Sequence, residues 1–228
     1  MRIVNLVLQT RHLDALKVFY GRDLGLPILT EASGFVTFGV GTTQLTFSHS
    51  MGASDSMYHY AFNIPPHTMP EAKAWLAQRA PLLSQAGEDL FYFEGWNAEG
   101  IYFRDPAGNI GELIARHTLA GDSPGAFGPQ QLLCVSEIGL PVPDVSEMVD
   151  GLIGAFDLAR YGEASDMFSP VGNERGLFIV VREGRPWFPT DIAAEAHPIS
   201  VVIEGANEAS LNLTGLACEI RQQSAPMP

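Results

Sequence analysis

Ile101-Tyr-Phe-Arg-Asp-Pro-Ala-Gly-Asn-Ile-Gly-Glu-Leu-Ile114 is two apolar runs joined by a turn, with a carboxylate, Glu112, set inside the second run. The joint Asp105-Pro-Ala-Gly108 has turn chemistry: the Asp side chain bonds the backbone ahead, Pro fixes φ, and Gly accepts a positive φ. The run that follows, Asn109 to Ile114, reads as a buried strand. Period-2 alternation puts Glu112 on the same face as Ile110 and Ile114. Desolvation makes an unpaired ionised carboxylate costly among aliphatic side chains, so Glu112 needs a cation, a donor or a proton. Arg104, across the turn, is one structural partner; a functional site is the other reading, because buried carboxylates with perturbed protonation concentrate in clefts.

Outward from this hairpin, a single order of elements recurs. Ile3 to Gln9 reads as a strand, and Leu13, Leu16, Phe19 and Tyr20 fall at helical spacing before Gly25. Short strands follow at Gly34 to Val40 and Thr42 to Ser48. The order restarts with Tyr58 to Ile64, a helix introduced by Thr68-Met-Pro-Glu71, and strands at Leu90 to Phe93, Gly100 to Arg104 and Asn109 to Ala115. Thr118 to Gln130 is rich in Gly, Pro, Ser and Asp and reads as a linker. Beyond it come a strand at Val135 to Val142, a helix capped by Asp144 with the stripe Val145, Met148, Leu152 and Phe156, and a buried strand at Gly176 to Val181. A fourth start, His197-Pro-Ile-Ser-Val-Val-Ile203, is shorter than a full unit. The expected class is α+β, built from βαβββ units: residues 1–117 as two paired units, 118–130 as linker, and 131–228 as a second, truncated domain.

Composition narrows the function. With 46% apolar and 17% charged residues the chain has the balance of an ordinary globular protein. A formal net charge of −13 disfavours nucleic-acid and anionic-membrane surfaces, which need basic clusters. Cys134 and Cys218 have no metal-type spacing and indicate no disulfide framework. The strand-like start Arg2 to Leu8 lacks the apolar core of a signal peptide, and no run reaches bilayer length, so a cytoplasmic location is expected.

The repeated units, the strand opening with His59, the helix ending Phe19-Tyr-Gly-Arg-Asp-Leu-Gly-Leu26 and the hairpin Tyr102 to Glu112 together resemble the vicinal oxygen chelate superfamily, which includes glyoxalase I, bleomycin-resistance proteins and extradiol dioxygenases. The resemblance covers residues 1–117 well and 131–204 loosely. It implies units that pair into incomplete barrels, with a site on the concave face. It also implies a divalent metal ion whose ligand positions fall on Asn5, Gln44, His59 and Glu112. Only His59 and Glu112 have the usual identities; amide oxygens carry no charge and are weaker ligands. The resemblance therefore implies metal ligation by His59 and Glu112, proton transfer by Glu112, and substrate contacts from Asn5, Gln44 and Arg104. The expected partner is a small molecule with neighbouring oxygens, and the expected assembly is a homodimer. Lyase or isomerase chemistry is favoured over oxygen insertion, since Asn5 breaks the two-His, one-carboxylate triad of Fe(II) dioxygenases. Two other readings stay open: metal-free sequestration of a small molecule, as in bleomycin-resistance proteins, and an interaction scaffold without chemistry. His59 has its own bland alternative, a hydrogen-bonded strand histidine. Glu137 and His197, at the matching strand positions beyond the linker, are taken as structural.

Overall fold

The computed structural model describes residues 1–52, 54–121 and 125–224. Among the described residues, fifteen strands form two open mixed sheets. The first unit comprises β1 (Arg2–Thr10), α1 (Leu13–Leu16), β2 (Ile28–Ala32), β3 (Phe35–Val40) and β4 (Thr43–His49). The second comprises β5 (His59–Ile64), α2 (Met69–Ala77), β6 (Leu82–Leu83), β7 (Phe91–Phe93), β8 (Ala98–Arg104) and β9 (Ile110–Arg116). The third has β10 (Cys134–Val142), α3 (Val145–Phe156), β11 (Phe168–Asn173) and β12 (Gly176–Arg182). The last has only β13 (Ile199–Gly205), β14 (Ala209–Leu213) and β15 (Cys218–Ser224).

The pairing of units departs from the expected one. The first unit pairs with the last through antiparallel β1 and β13, giving the order β14-β15-β13-β1-β4-β3-β2. The second pairs with the third through antiparallel β5 and β10, giving β11-β12-β10-β5-β9-β8-β6, with β7 also on β8. Residues 1–117 are thus divided between two sheets. The physical reason is that alternation fixes which face of a strand is buried, while pairing between strands far apart in sequence is chosen by the fit of whole edges.

One continuous core joins the sheets. Ile3, Leu6 and Leu8 of β1 and Leu45 and Phe47 of β4 pack in the same cluster as Tyr60 and Phe62 of β5 and Val135, Ile138 and Leu140 of β10. The seam is hydrogen-bonded as well: Thr43 Oγ1 donates to the Ile3 carbonyl (2.7 Å) and accepts from the Val135 amide (3.0 Å). The expected linker packs at its far end, where Phe127 is buried edge-to-face on Trp75 of α2 (5.4 Å); residues 122–124 of that stretch lie outside the described residues.

Helix α1 runs on into a π-helical turn over Lys17–Asp23 and ends at Gly25, whose φ is +76°. Asp144 caps α3 by accepting from the Glu147 amide at 3.0 Å. At α2 the Thr68-Met-Pro-Glu71 stretch has the pattern of a capping box, but the Thr68 side chain does not cap the helix; its hydroxyl donates instead to the Pro65 carbonyl at 2.8 Å. No helix among the described residues is long and apolar enough to cross a membrane.

The Asp105 turn holds the hairpin more strongly than a local turn would. Asp105 Oδ1 accepts from the amides of Ala107 (2.9 Å) and Asn109 (3.0 Å). Its Oδ2 accepts from Asn109 Nδ2 (2.8 Å) and from the hydroxyls of Tyr20 and Tyr60 (both 3.0 Å). Gly108 closes the turn with φ +88°. A buried carboxylate so well supplied with donors ties the helix of the first unit, through Tyr20, to the floor strand and hairpin of the second.

Candidate functional site

The concave face of the second sheet is built by period-2 alternation on three adjacent central strands. Along β5, His59, Ala61 and Asn63 share this face. Ala61 pairs with Glu112 of β9 on one side and with Glu137 of β10 on the other. The two carboxylates therefore flank a single methyl group, with His59 one pleat away. Ligand atoms of His59, Glu112 and Glu137 lie within 4.8 Å of one another, and all three residues are buried. His59 Nε2 is 3.7 Å from Glu112 Oε2.

His59 Nδ1 sits 3.2 Å from the Ile110 carbonyl. A carbonyl can only accept, so Nδ1 carries the proton and Nε2 presents a lone pair to the carboxylates. Burial depresses the His59 pKa to about 4, with the Ile110 bond opposing and Arg185 adding to the drop. The imidazole is neutral at ordinary pH. Glu112 is displaced the other way: burial first, then the charge of Glu137, push its pKa well above the usual carboxylate range, while Tyr102 and Arg116 pull it back. Burial also raises Glu137, against the guanidinium of Arg116.

Arg116 is the residue the sequence reading left out. It lies four residues after Glu112 on the same face of β9 and has 0% exposure. Its Nη2 bonds Glu137 Oε1, its Nε donates to Asn63 Oδ1 at 3.2 Å, and its guanidinium lies over the rings of Trp96 (5.1 Å) and Tyr161 (5.8 Å). The same alternation that put Glu112 inward also turns Arg116 inward, so the signal was present in the strand.

A cavity of about 590 Å³ opens over these groups. Tyr102 and Phe93 come from β8 and β7, Trp96 from the turn between them, Phe168 and Ile179 from β11 and β12, and Trp187 and Phe188 from the segment between β12 and β13. Small residues make the room. A Cβ on Gly100 would lie 2.6 Å from Glu112 Oε1, and one on Gly139 would lie 2.5 Å from Trp187 Cη2. Glycine inside a strand is unfavourable, and here it marks close approach by a site side chain.

The structure brings His59 and Glu112 together and does not bring the other expected residues to them. Asn5 and Gln44 sit on β1 and β4 of the other sheet, where Asn5 Nδ2 donates to Gln44 Oε1 at 3.4 Å. Arg104 is exposed at the end of β8 and does not line the cavity. Glu137, taken from the sequence as structural, stands in the centre of the cluster. His197 is half-buried beside Tyr58, outside it. The displacement of Asn5 and Gln44 and the entry of Glu137 share one cause: the pairing of the second unit with the third makes β10, not β1, the partner strand of β5.

With this geometry established, comparison with known proteins is informative about the fold. No family model matches the sequence, and no curated protein matches it. Among solved structures, a candidate dioxygenase from Bacillus subtilis aligns over 100% of this chain and 86% of its own, with a TM-score of 0.67 and 16% identity. A V278E mutant of glyoxalase I from Zea mays aligns over 97% of this chain and 91% of its own, with a TM-score of 0.58 and 11% identity. The chain shares the fold of these two proteins, in agreement with the fold expected from the sequence. At these identities the likeness extends to the fold alone.

Proposed function

We propose that His59, Glu112 and Glu137 hold a divalent cation, and that the protein is a metal-assisted lyase or isomerase acting on a small molecule with two neighbouring oxygens. The observation that carries this reading is the triangle of buried ligand atoms at the base of a cavity, with Glu112 Oε1 left without a hydrogen-bond partner among the described residues. The residues fit a cation. One nitrogen and two carboxylates suit a hard or borderline divalent ion, and the Ile110 carbonyl orients the imidazole as such ligands require. A divalent ion there supplies Lewis-acid stabilisation of negative charge developing on substrate oxygens. Glu112 is the group placed to carry a proton, since it lines the cavity directly across from Tyr102. His59 stays neutral and serves as a ligand. Tyr102, directly opposite Glu112 on β8 and held protonated by burial, keeps a hydroxyl beside that carboxylate.

One observation favours a second reading. Arg116 already gives Glu137 a cationic partner. If that pair alone satisfies the site, Glu112 takes up a proton and the cavity sequesters its ligand without metal, as a binding protein.

Metal content separates the two. We expect about one divalent ion per chain after incubation with Mn²⁺, Co²⁺ or Zn²⁺ and gel filtration, with the ion lost in His59→Ala and in Glu112→Ala. Wild-type protein that retains no more metal than these variants refutes the metal reading and leaves the binding one.

A further inference from the structure

Glu137 lines the cavity with one of its oxygens already engaged. Arg116 Nη2 donates to its Oε1, and Glu137 is the carboxylate with which that guanidinium forms an ion pair. A divalent ion bound to the same oxygen would face the guanidinium across it, like charge against like charge. That leaves Oε2 as the oxygen a second cation can approach.

The guanidinium is held from every side. Arg116 has 0% exposure, its Nε donates to Asn63 Oδ1 (3.2 Å), and Asn63 Nδ2 donates in turn to the Glu174 carbonyl (2.8 Å). The rings of Trp96 and Tyr161 cover it at 5.1 and 5.8 Å and meet each other edge-to-face at 5.4 Å. Trp96 is seated over Gly162, where a β-carbon would lie 2.8 Å from the indole nitrogen. Glu137 itself is fixed in register opposite Ala61. A partner so enclosed holds the carboxylate in one orientation whichever ion arrives.

The number of oxygens a carboxylate can offer separates divalent ions. Calcium gathers many oxygens and commonly takes both from one carboxylate. Cobalt and zinc accept an imidazole nitrogen and a single oxygen from each carboxylate. We propose that Arg116 is a positioning residue that sets the ion selectivity of the site: it engages Glu137 Oε1 from a fixed place, limits that carboxylate to one-oxygen ligation, and so disfavours calcium against the smaller, borderline ions. This rests on the metal reading of His59, Glu112 and Glu137.

Calorimetric titration of chelator-stripped, full-length protein with Co²⁺ and with Ca²⁺ gives two dissociation constants, and their ratio is the readout. A loss of stability or a change of charge acts on both divalent ions, so it moves the ratio far less than it moves either constant. Arg116→Met frees both oxygens of Glu137 and should narrow the preference for Co²⁺ by about tenfold or more, as a change in ligand count does. Arg116→Gln, gentler to the fold, should move the ratio in the same direction. Arg116→Lys keeps a cation that can bond one oxygen and should restore most of the preference. Circular dichroism checks that each variant folds. An unchanged ratio in a folded Arg116→Met or Arg116→Gln overturns the proposal and leaves the metal reading standing. So does wild-type protein that binds Ca²⁺ as tightly as Co²⁺, a comparison that needs no variant. Wild-type protein that takes up neither ion while Arg116→Met takes up Ca²⁺ supports the restraint by Arg116 and refutes the metal reading. Neither ion bound by any of these proteins overturns both.

Discussion

Replacing Arg116 with Met isolates the charge at the base of the site. The guanidinium has 0% exposure and its partner carboxylate on Glu137 has 3%, so no water can take over the pairing when the cation is removed. Breaking a buried ion pair from one side costs about 3–5 kcal/mol, because the remaining charge is left desolvated. For a chain of this length that corresponds to a fall in Tm of roughly 6–20 °C. The measurement is urea denaturation at neutral pH in the presence of a chelator, so that no added cation compensates Glu137. The double variant Arg116→Met with Glu137→Met removes both charges and should recover most of the loss, though not the bond to Asn63 or the contacts with Trp96 and Tyr161. Acidification should narrow the single variant's deficit. Without Arg116, folded Glu137 binds a proton more readily than unfolded Glu137, and stability then rises as pH falls through that range. A single variant within about 1 kcal/mol of wild type, or a double variant as unstable as the single, refutes the assignment of the cost to Glu137.

Other consequences follow from the same geometry. Gly100→Ala puts a methyl 2.6 Å from Glu112 Oε1 and should lower metal affinity by about ten- to a hundredfold, as loss of a ligand-orienting contact does; unchanged affinity in competition with a chelating dye rules this out. Asp105→Ala leaves the Tyr20 and Tyr60 hydroxyls only each other and takes the acceptor from the Ala107 and Asn109 amides, so it should cost at least about 3 kcal/mol in urea titrations, with a near-neutral effect arguing against a tying role for the turn. His59 is neutral in the fold down to about pH 4 but protonates near 6.5 when unfolded. Its contribution is therefore present above pH 6.5 and lost on acidification toward 4, at most about 3 kcal/mol, and His59→Phe should remove that part of the acid slope.

The sequence carried the hairpin, the order of elements and the faces of the strands, because each depends on turn chemistry or on period-2 alternation within a few residues. Glu112 and His59 were legible for that reason. Glu137 was legible as an inward strand residue but not as their neighbour, since nothing local to β5 states whether its edge meets β1 or β10. Asn5 and Gln44 were displaced by the same ambiguity. Arg116 was hidden by its charge: arginine at a strand end reads as surface, and only the carboxylate of Glu137 beneath it makes burial tolerable. The seating of Trp187 over Gly139 joins segments nearly fifty residues apart, which no local pattern reports.

The nested pairing of units also sets an order of assembly. The inner sheet can be completed from β5 to β12, all made before β13 begins, whereas β1 keeps an open edge until β13 is synthesised. Contacts between such distant segments close slowly, and a strand waiting for its partner is an aggregation hazard. The half of the molecule holding His59, Glu112 and Glu137 therefore closes over a shorter stretch of chain than the half holding β1.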